Sequence, residues 1–289
     1  MAKNLRSDLY EGGVTVNPTN GAGIVAPIGT LLPRAGFTPV EFWQKYGAGA
    51  TDWLQVVNNN LGQIQGLSTL YLNATTITIT QGRCRSADGT FDMPVPSLGI
   101  TASMVANLDV GVVAANTWYH LYVIANSGAN LVPTSRVSLS SVAPGLPAGF
   151  DKYRRIGAIR TDGTTSLIPF EALALGQYRL SLYRSLESTR QVLLNGAATG
   201  VNPTLVSLAT LVPPTSQLAW IQARQTGTPE GRIFDDPAAG SPIIKTLAGA
   251  SSNQLNDIIR TNAAQAIGYS NSAVGGLLQI WVTGFSEAL

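Results

Sequence analysis

Charge is scarce in this chain. Asp, Glu, Lys and Arg together make up 12% of its 289 residues, about half the share usual in soluble domains, and the formal net charge is only +2. No run of Lys or Arg builds the electrostatic footprint that nucleic acid requires, so nucleic acid is not an expected partner. Thr, Ser, Asn, Gly and Ala are plentiful instead. A polar but uncharged surface can leave water against another protein with few ions to desolvate, which favours packing against copies of the chain or against other structural proteins.

Cysteine and histidine are nearly absent, with one of each, Cys84 and His120. A lone cysteine excludes a disulfide within one chain and any thiolate metal cluster. Its neighbours Arg83 and Arg85 would activate the thiol only if they lay close to it. In a strand they point to the opposite face, so Cys84 is expected to be buried and structural. A single histidine cannot build a multi-imidazole zinc site, and no Gly-x-Ser-x-Gly elbow accompanies it. His120 shares a strand face with Trp118 and Tyr122 and is expected to be a hydrogen-bonded sheet residue rather than a catalytic one.

Long apolar runs are missing as well. No stretch reaches the roughly 18 residues of a membrane span, and Met1 to Asp8 lacks the apolar core of a signal peptide. The expectation is a soluble product, without membrane insertion, that assembles in a cytoplasm. There is no Walker A segment, no Rossmann glycine pattern and no His-Glu-x-x-His signature, so no cofactor is expected. No repeat with a period of roughly 20–50 residues appears, which removes solenoids and propellers.

Short apolar runs rich in β-branched and aromatic residues, punctuated by Pro, Gly or Asp-Gly, dominate what is there. The length favours two domains over one. The fold class expected is all-β: an extended N-terminal arm followed by two antiparallel β-sandwich, jelly-roll-like domains. Residues 1–56 form the attachment arm and hairpin. Val14 to Gly23 and Ala26 to Pro33 mix short apolar pieces with Pro and Gly, which keeps the chain extended and leaves it little to bury alone. Phe42 to Val56 reads as a hairpin with aromatics on both arms. Residues 57–69 read as a linker, although Val57, Leu61 and Ile64 share a helical spacing that Gly62 and Gly66 weaken.

A first sandwich spans 70–185, with the alternation Thr76-Ile77-Thr78-Ile79-Thr80 and the aromatic strand Trp118 to Ala125. A second spans 190–289, with strands at Thr204–Leu208, Leu218–Arg224, Gly231–Phe234, Ile243–Leu247, Asp257–Thr261, Ala266–Ser270 and Leu277–Phe285. Leu255, Ile258 and Ile259 also fit a helix, but Asn262, Gly268 and the alternation around Tyr269 favour strands.

Paired carboxylates would be the route to glycan cleavage. Asp88 and Asp162 precede Gly and read as turn residues. Asp235-Asp236-Pro237 is an adjacent pair that cannot by itself flank a glycosidic bond; it reads as a turn, or failing that a calcium-binding corner. No catalytic residue and no metal ligand is assigned. Trp220 and Trp281 lie on strands of the second sandwich and either fill its core or stack on a sugar ring.

Two stretches carry a resemblance. Lys45-Tyr46-Gly47-Ala48-Gly49-Ala50-Thr51-Asp52-Trp53 resembles a segment recurring near the N-termini of phage fibre and head-appendage proteins. The ordered set of Trp118-Tyr119, Leu146-Pro147-Ala148-Gly149-Phe150, Arg154-Arg155-Ile156-Gly157-Ala158 and Asp162-Gly163 resembles the β-domain of accessory virion proteins of tailed bacteriophages: tail fibres, neck or head fibres and spikes. The resemblance implies a non-enzymatic, homotrimeric virion protein. Residues 1–50 would fix it to other virion proteins, with Tyr10, Val14, Val16, Ile24 and Leu31 as candidate contacts. The C-terminal domain would face outward, with Trp220 and Trp281 as candidate contacts to a host-surface glycan or protein. A capsid decoration or cement protein, a glycan-cleaving tail spike and a cellular carbohydrate-binding module are the competing readings.

Overall fold

The computed structural model describes residues 31–34, 41–45, 53–56, 64–128, 132–175, 178–184, 190–199, 203–235, 243–247 and 253–289. It is nearly all β, built of several antiparallel sheets. The chain divides into two units, Met1–Leu61 and Gly62–Leu289.

In the first unit β1 (Leu31–Arg34), β2 (Glu41–Lys45) and β3 (Trp53–Val56) form a three-stranded sheet in that order. The hairpin read around residue 42 is the β2–β3 pair, with Phe42 opposite Val56 and Lys45 opposite Trp53. The arm contacts Tyr10, Val14, Val16 and Ile24 lie outside the described residues, and Leu31 opens β1, opposite Gln44.

The second unit opens with β4 (Ile64–Gly66), β5 (Thr69–Asn73), β6 (Thr76–Ile79), β7 (Gly82–Arg85), β8 (Asp92–Val95) and β9 (Ile100–Ser103). It continues with β10 (Trp118–Ala125), β11 (Thr134–Ser138), β12 (Lys152–Arg160), β13 (Phe170–Leu175) and β14 (Tyr178–Tyr183). The C-terminal part adds β15 (Gln191–Gly196), β16 (Thr204–Ser207), β17 (Ser216–Thr226), β18 (Gly231–Phe234), β19 (Ile243–Leu247), β20 (Asn253–Arg260), β21 (Ala266–Asn271) and β22 (Leu277–Ala288). The stretch that also fitted a helix is thus strand, where β20 pairs with β17 over Asn253 to Arg260. Ile64 and Leu67, in the stretch read as linker, are 2% and 0% exposed.

One nine-stranded sheet runs through this whole unit in the order β20-β17-β22-β14-β13-β5-β6-β9, with β15 also paired to β22. It forms a shared back layer. Its inner side carries two cores. Ile77, Ile79, Ala102 and Ala172 cluster with Cys84 and Met93 of the small β4-β7-β8 sheet and with Tyr119, Leu121 and Val123 of the β11-β10-β12 sheet. Ala219, Ile221, Ile280 and Val282 cluster with Val206, Ile233 and Ile267 of the β16-β21-β18-β19 sheet. Both halves are therefore sandwiches, and the antiparallel pairing of β14 with β22, from Tyr178↔Ala288 to Leu182↔Gly284, makes them share one wall.

Candidate interaction surface

Side chains alternate across a sheet, so the register sorts the back layer into two faces. Along one row Ala219 pairs Phe285, Phe285 pairs Ser181, Ser181 pairs Ala172, and Ala172 pairs Thr69. All five are buried, and this is the inner face. The adjacent row faces away from both cores. Ile258 pairs Trp220, Trp220 pairs Gly284, Gly284 pairs Leu182, and Leu182 pairs Glu171. Glu171 then pairs Leu70, Leu70 pairs Thr78, and Thr78 pairs Thr101, so the row crosses eight strands without a break.

This outer face mixes exposed apolar side chains with uncharged polar ones, since Thr78, Thr101, Gln222, Gln254, Asn256 and Gln279 share it. Leu72, Leu173, Tyr178, Ile258 and Leu277 are 57%, 36%, 48%, 42% and 37% exposed. Leu180, Leu182, Leu218 and Trp220 are half-buried among them. Glu171 is the only ionisable group in the crossing row, and Arg184 pairs with it. Arg224 and Arg260 stand toward the β20 edge, opposite Gln254 and Leu218.

The inner face hides the opposite chemistry where the two halves meet. Glu287, fully buried, accepts from Arg155 Nη1 at 2.7 Å and from the Ala158 amide at 2.9 Å, and Thr215 donates to it as well. Among the described residues strand β12 pairs only with β10, so the Ala158 amide points away from that partner, and the carboxylate supplies the acceptor that a neighbouring strand would have supplied. Arg179 stands directly across from Glu287. It is also fully buried, and donates to Thr69 Oγ1 at 3.2 Å and to the Leu67 carbonyl at 2.8 Å. Leu67 has φ 56°, a left-handed conformation rare for a branched side chain, and its burial and this bond hold it there. Burial lowers the Arg179 pKa to about 10 against the opposing pull of Glu287. A Cβ on Gly157 would stand 3.0 Å from Arg179 Cδ, so the Arg-Arg-Ile-Gly-Ala strand needs Gly where it crosses this guanidinium stem.

His120 belongs to this seam. It is 5% exposed, and its Nδ1 has no hydrogen-bond partner, which corrects the expectation of a satisfied sheet histidine. Burial lowers its pKa to about 4; Glu287 pulls it back up and Arg155 pushes it further down. The imidazole is neutral near pH 7. Trp118 bridges the halves as well: its ring meets Phe285 edge-on at 5.6 Å and its Nε1 donates to the Ala209 carbonyl at 2.9 Å.

The other residues singled out from sequence fall apart in space. Trp220 and Trp281 both lie on the outer face, opposite the core between the sheets; Trp220 Nε1 donates to Ser286 Oγ at 3.0 Å, and Trp281 is 6% exposed. Asp88 and Asp162 are turn residues. Asp88 takes Lys152 Nζ at 2.7 Å and Thr90 Oγ1 at 2.8 Å, while Asp162 takes the amides of Thr164 and Ser166 at 2.8 and 3.0 Å. Asp235 follows the end of β18 and Asp236 lies outside the described residues. Among the described residues no group of His, Cys, Asp and Glu gathers in metal-binding geometry. Cys84 is fully buried and its pKa is pushed up to about 12 by that burial, which leaves it an inert thiol. No helix among the described residues is long and apolar enough to cross a membrane.

Sequence reasoning missed Arg179 and Glu287. Their signal was faint: alternation places Arg179 on one face with Ser181 and Tyr183, and a polar row reads as a solvent face. Comparison with family models, with curated proteins and with solved structures finds no match.

Proposed function

We propose that this chain is a structural protein of a tailed-phage virion, a fibre or spike on the tail, neck or head that self-associates, as a homotrimer, and is fixed to the particle through its N-terminal residues. One observation carries the reading: a back sheet crossing eight strands whose outer face sets exposed apolar side chains among uncharged polar ones, with little charge. Such a face suits lasting contact with protein, since few ions must lose water when it is covered. The sequence resemblance supports the same reading, and so does a composition with 12% charged residues. Non-enzymatic display is the role assigned, with a host-surface glycan or protein as the partner of the C-terminal half and other virion proteins as partners of residues 1–50. Assembly takes place in the host cytoplasm.

The test is localisation. Antibodies raised against the purified chain should decorate phage particles on grids at a discrete appendage, and a chain lacking residues 1–56 should remain folded but leave particles bare. Uniform labelling of the capsid at high copy number would replace the fibre by a decoration protein. New reducing ends after incubation with bacterial surface polysaccharide would replace it by a glycan-cleaving spike, and absence from particles altogether would end the virion reading.

A further inference from the structure

We infer that the outer face of the nine-stranded back sheet is where copies of this chain pack against one another. The inference rests on the self-association included in the proposed function and assigns that association to one surface. The occupant follows from the chemistry of the face.

Three smaller sheets cover the inner side of the back layer, and among the described residues of this unit no sheet covers the outer side. Eight strands spaced about 4.8 Å apart make a face roughly 34 Å across. Exposed rows about 17–20 Å tall give it on the order of 600 Å² before side-chain relief, near the roughly 800 Å² per partner of a stable protein interface. Leu173, Leu180 and Leu182 lie on its central strands, Trp220 and the exposed Ile258 stand side by side toward the β20 edge, and the exposed Leu72 lies toward the other end.

Charge then selects among partners. The crossing row carries Glu171 already paired with Arg184, so it offers no unpaired ion to a partner of either sign. Two copies meeting here bring no uncompensated like charges into the centre, and Arg224 and Arg260 fall toward the β20 edge, where an interface rim is polar. A nucleic acid would need many more cations than these. A glycan would need free ring faces, whereas Trp281 is 6% exposed and Trp220 is half-buried. A like face, part apolar and nearly uncharged, fits best, and three copies can turn it toward one threefold axis, in keeping with the proposed homotrimer.

The full-length chain is tested by light scattering after size exclusion. Wild-type protein at micromolar concentration is expected to be an oligomer. The double variant Leu173→Lys with Ile258→Lys is expected to run at single-chain mass with an unchanged far-ultraviolet spectrum. The control Leu98→Lys with Val112→Lys, on loop residues 95% and 85% exposed, should keep the oligomer. A monomeric wild type, or a face variant that keeps the wild-type mass, overturns the inference.

Should the face variant fail to fold, hydroxyl-radical footprinting of the wild type decides. Tyr178 and Leu72 should be at least about threefold less oxidised at concentrations where the oligomer forms than at high dilution, with Leu98 unchanged. Equal oxidation of Tyr178 in both states overturns the assignment. Particle labelling separates this from the broader proposal: association through this face without particle binding ends only the virion reading, whereas particle binding with an unprotected face ends only this one.

Discussion

The inner and outer faces of the back sheet are made by the same strands, yet they put polar and apolar groups in opposite places. Inside, two apolar cores flank a buried ionic seam of Arg155, Arg179 and Glu287. Outside, a row with one paired carboxylate carries the exposed Ile258 and the half-buried Trp220, Leu182 and Leu70. The difference teaches that hydrophobicity alone does not tell which side of this sheet folds and which associates. The inner face is committed by partners: a free strand edge that needs an acceptor, and two arginines that need a counter-charge. The outer face has no such internal obligations, and its apolar groups are available to a second surface.

The largest expected effect breaks the inner face. Glu287→Ala leaves Arg155, Arg179 and the Ala158 amide without their shared carboxylate. Removing one partner of a buried ion pair costs about 3–5 kcal/mol, so urea unfolding should show that loss with the slope unchanged. A loss under about 1 kcal/mol would mean that the seam is not holding the two halves together.

Next comes pH. The His120 pKa is about 4 in the folded chain, against 6.5 for an ordinary imidazole. Because the folded pKa is depressed, the unfolded chain takes up a proton that the folded chain refuses. Stability is therefore lost as pH falls from about 6.5 toward 4, by about 3 kcal/mol in all. Glu287 and Arg155 are the charged groups acting on it. His120→Gln should flatten this part of the stability profile, measured as the urea midpoint at pH 7 and at pH 4.5; equal slopes in the two proteins would remove His120 from the seam.

Smaller again is Gly157→Ala. Its Cβ would lie 3.0 Å from Arg179 Cδ, so the guanidinium stem must shift, at a cost of about 1–3 kcal/mol. A melting temperature within a degree of wild type would show that the stem yields freely. The smallest effect belongs outside: Ile258→Thr should change the stability of the dissociated chain by less than about 0.5 kcal/mol, seen in urea unfolding at high dilution. A larger loss would show that this face, too, is part of the folding core.

Much of the fold was legible because period and punctuation are local. The limits of β18 and β19 match their expected runs, and β17 extends the run Leu218–Arg224 by two residues at each end. The phase of the alternation was not legible. In β17 Ala219, Ile221 and Ala223 turn inward while Leu218 and Trp220 turn outward, and both sets are apolar. Pairing was not legible either. The contact of β14 with β22 joins residues about a hundred positions apart, and nothing local marks it. Arg179 and Glu287 were invisible for the same reason, since each looks like a surface residue until the other stands across from it. Trp220 and Trp281 could be placed on strands, but whether they faced core or surface depended on that phase.

One labelling experiment bears most directly on the contrast between the faces. Cys84 is the only cysteine and is fully buried, so single cysteines placed elsewhere report without background from the folded protein. Ile258→Cys and Leu98→Cys replace side chains that are 42% and 95% exposed in the single chain, and their native proteins would be treated with a maleimide at micromolar concentration. The expected result is rapid labelling at position 98, slow labelling at position 258, and recovery of the latter on dilution. Prompt labelling at position 258, with no dependence on concentration, would contradict the claim that this face is covered by another copy.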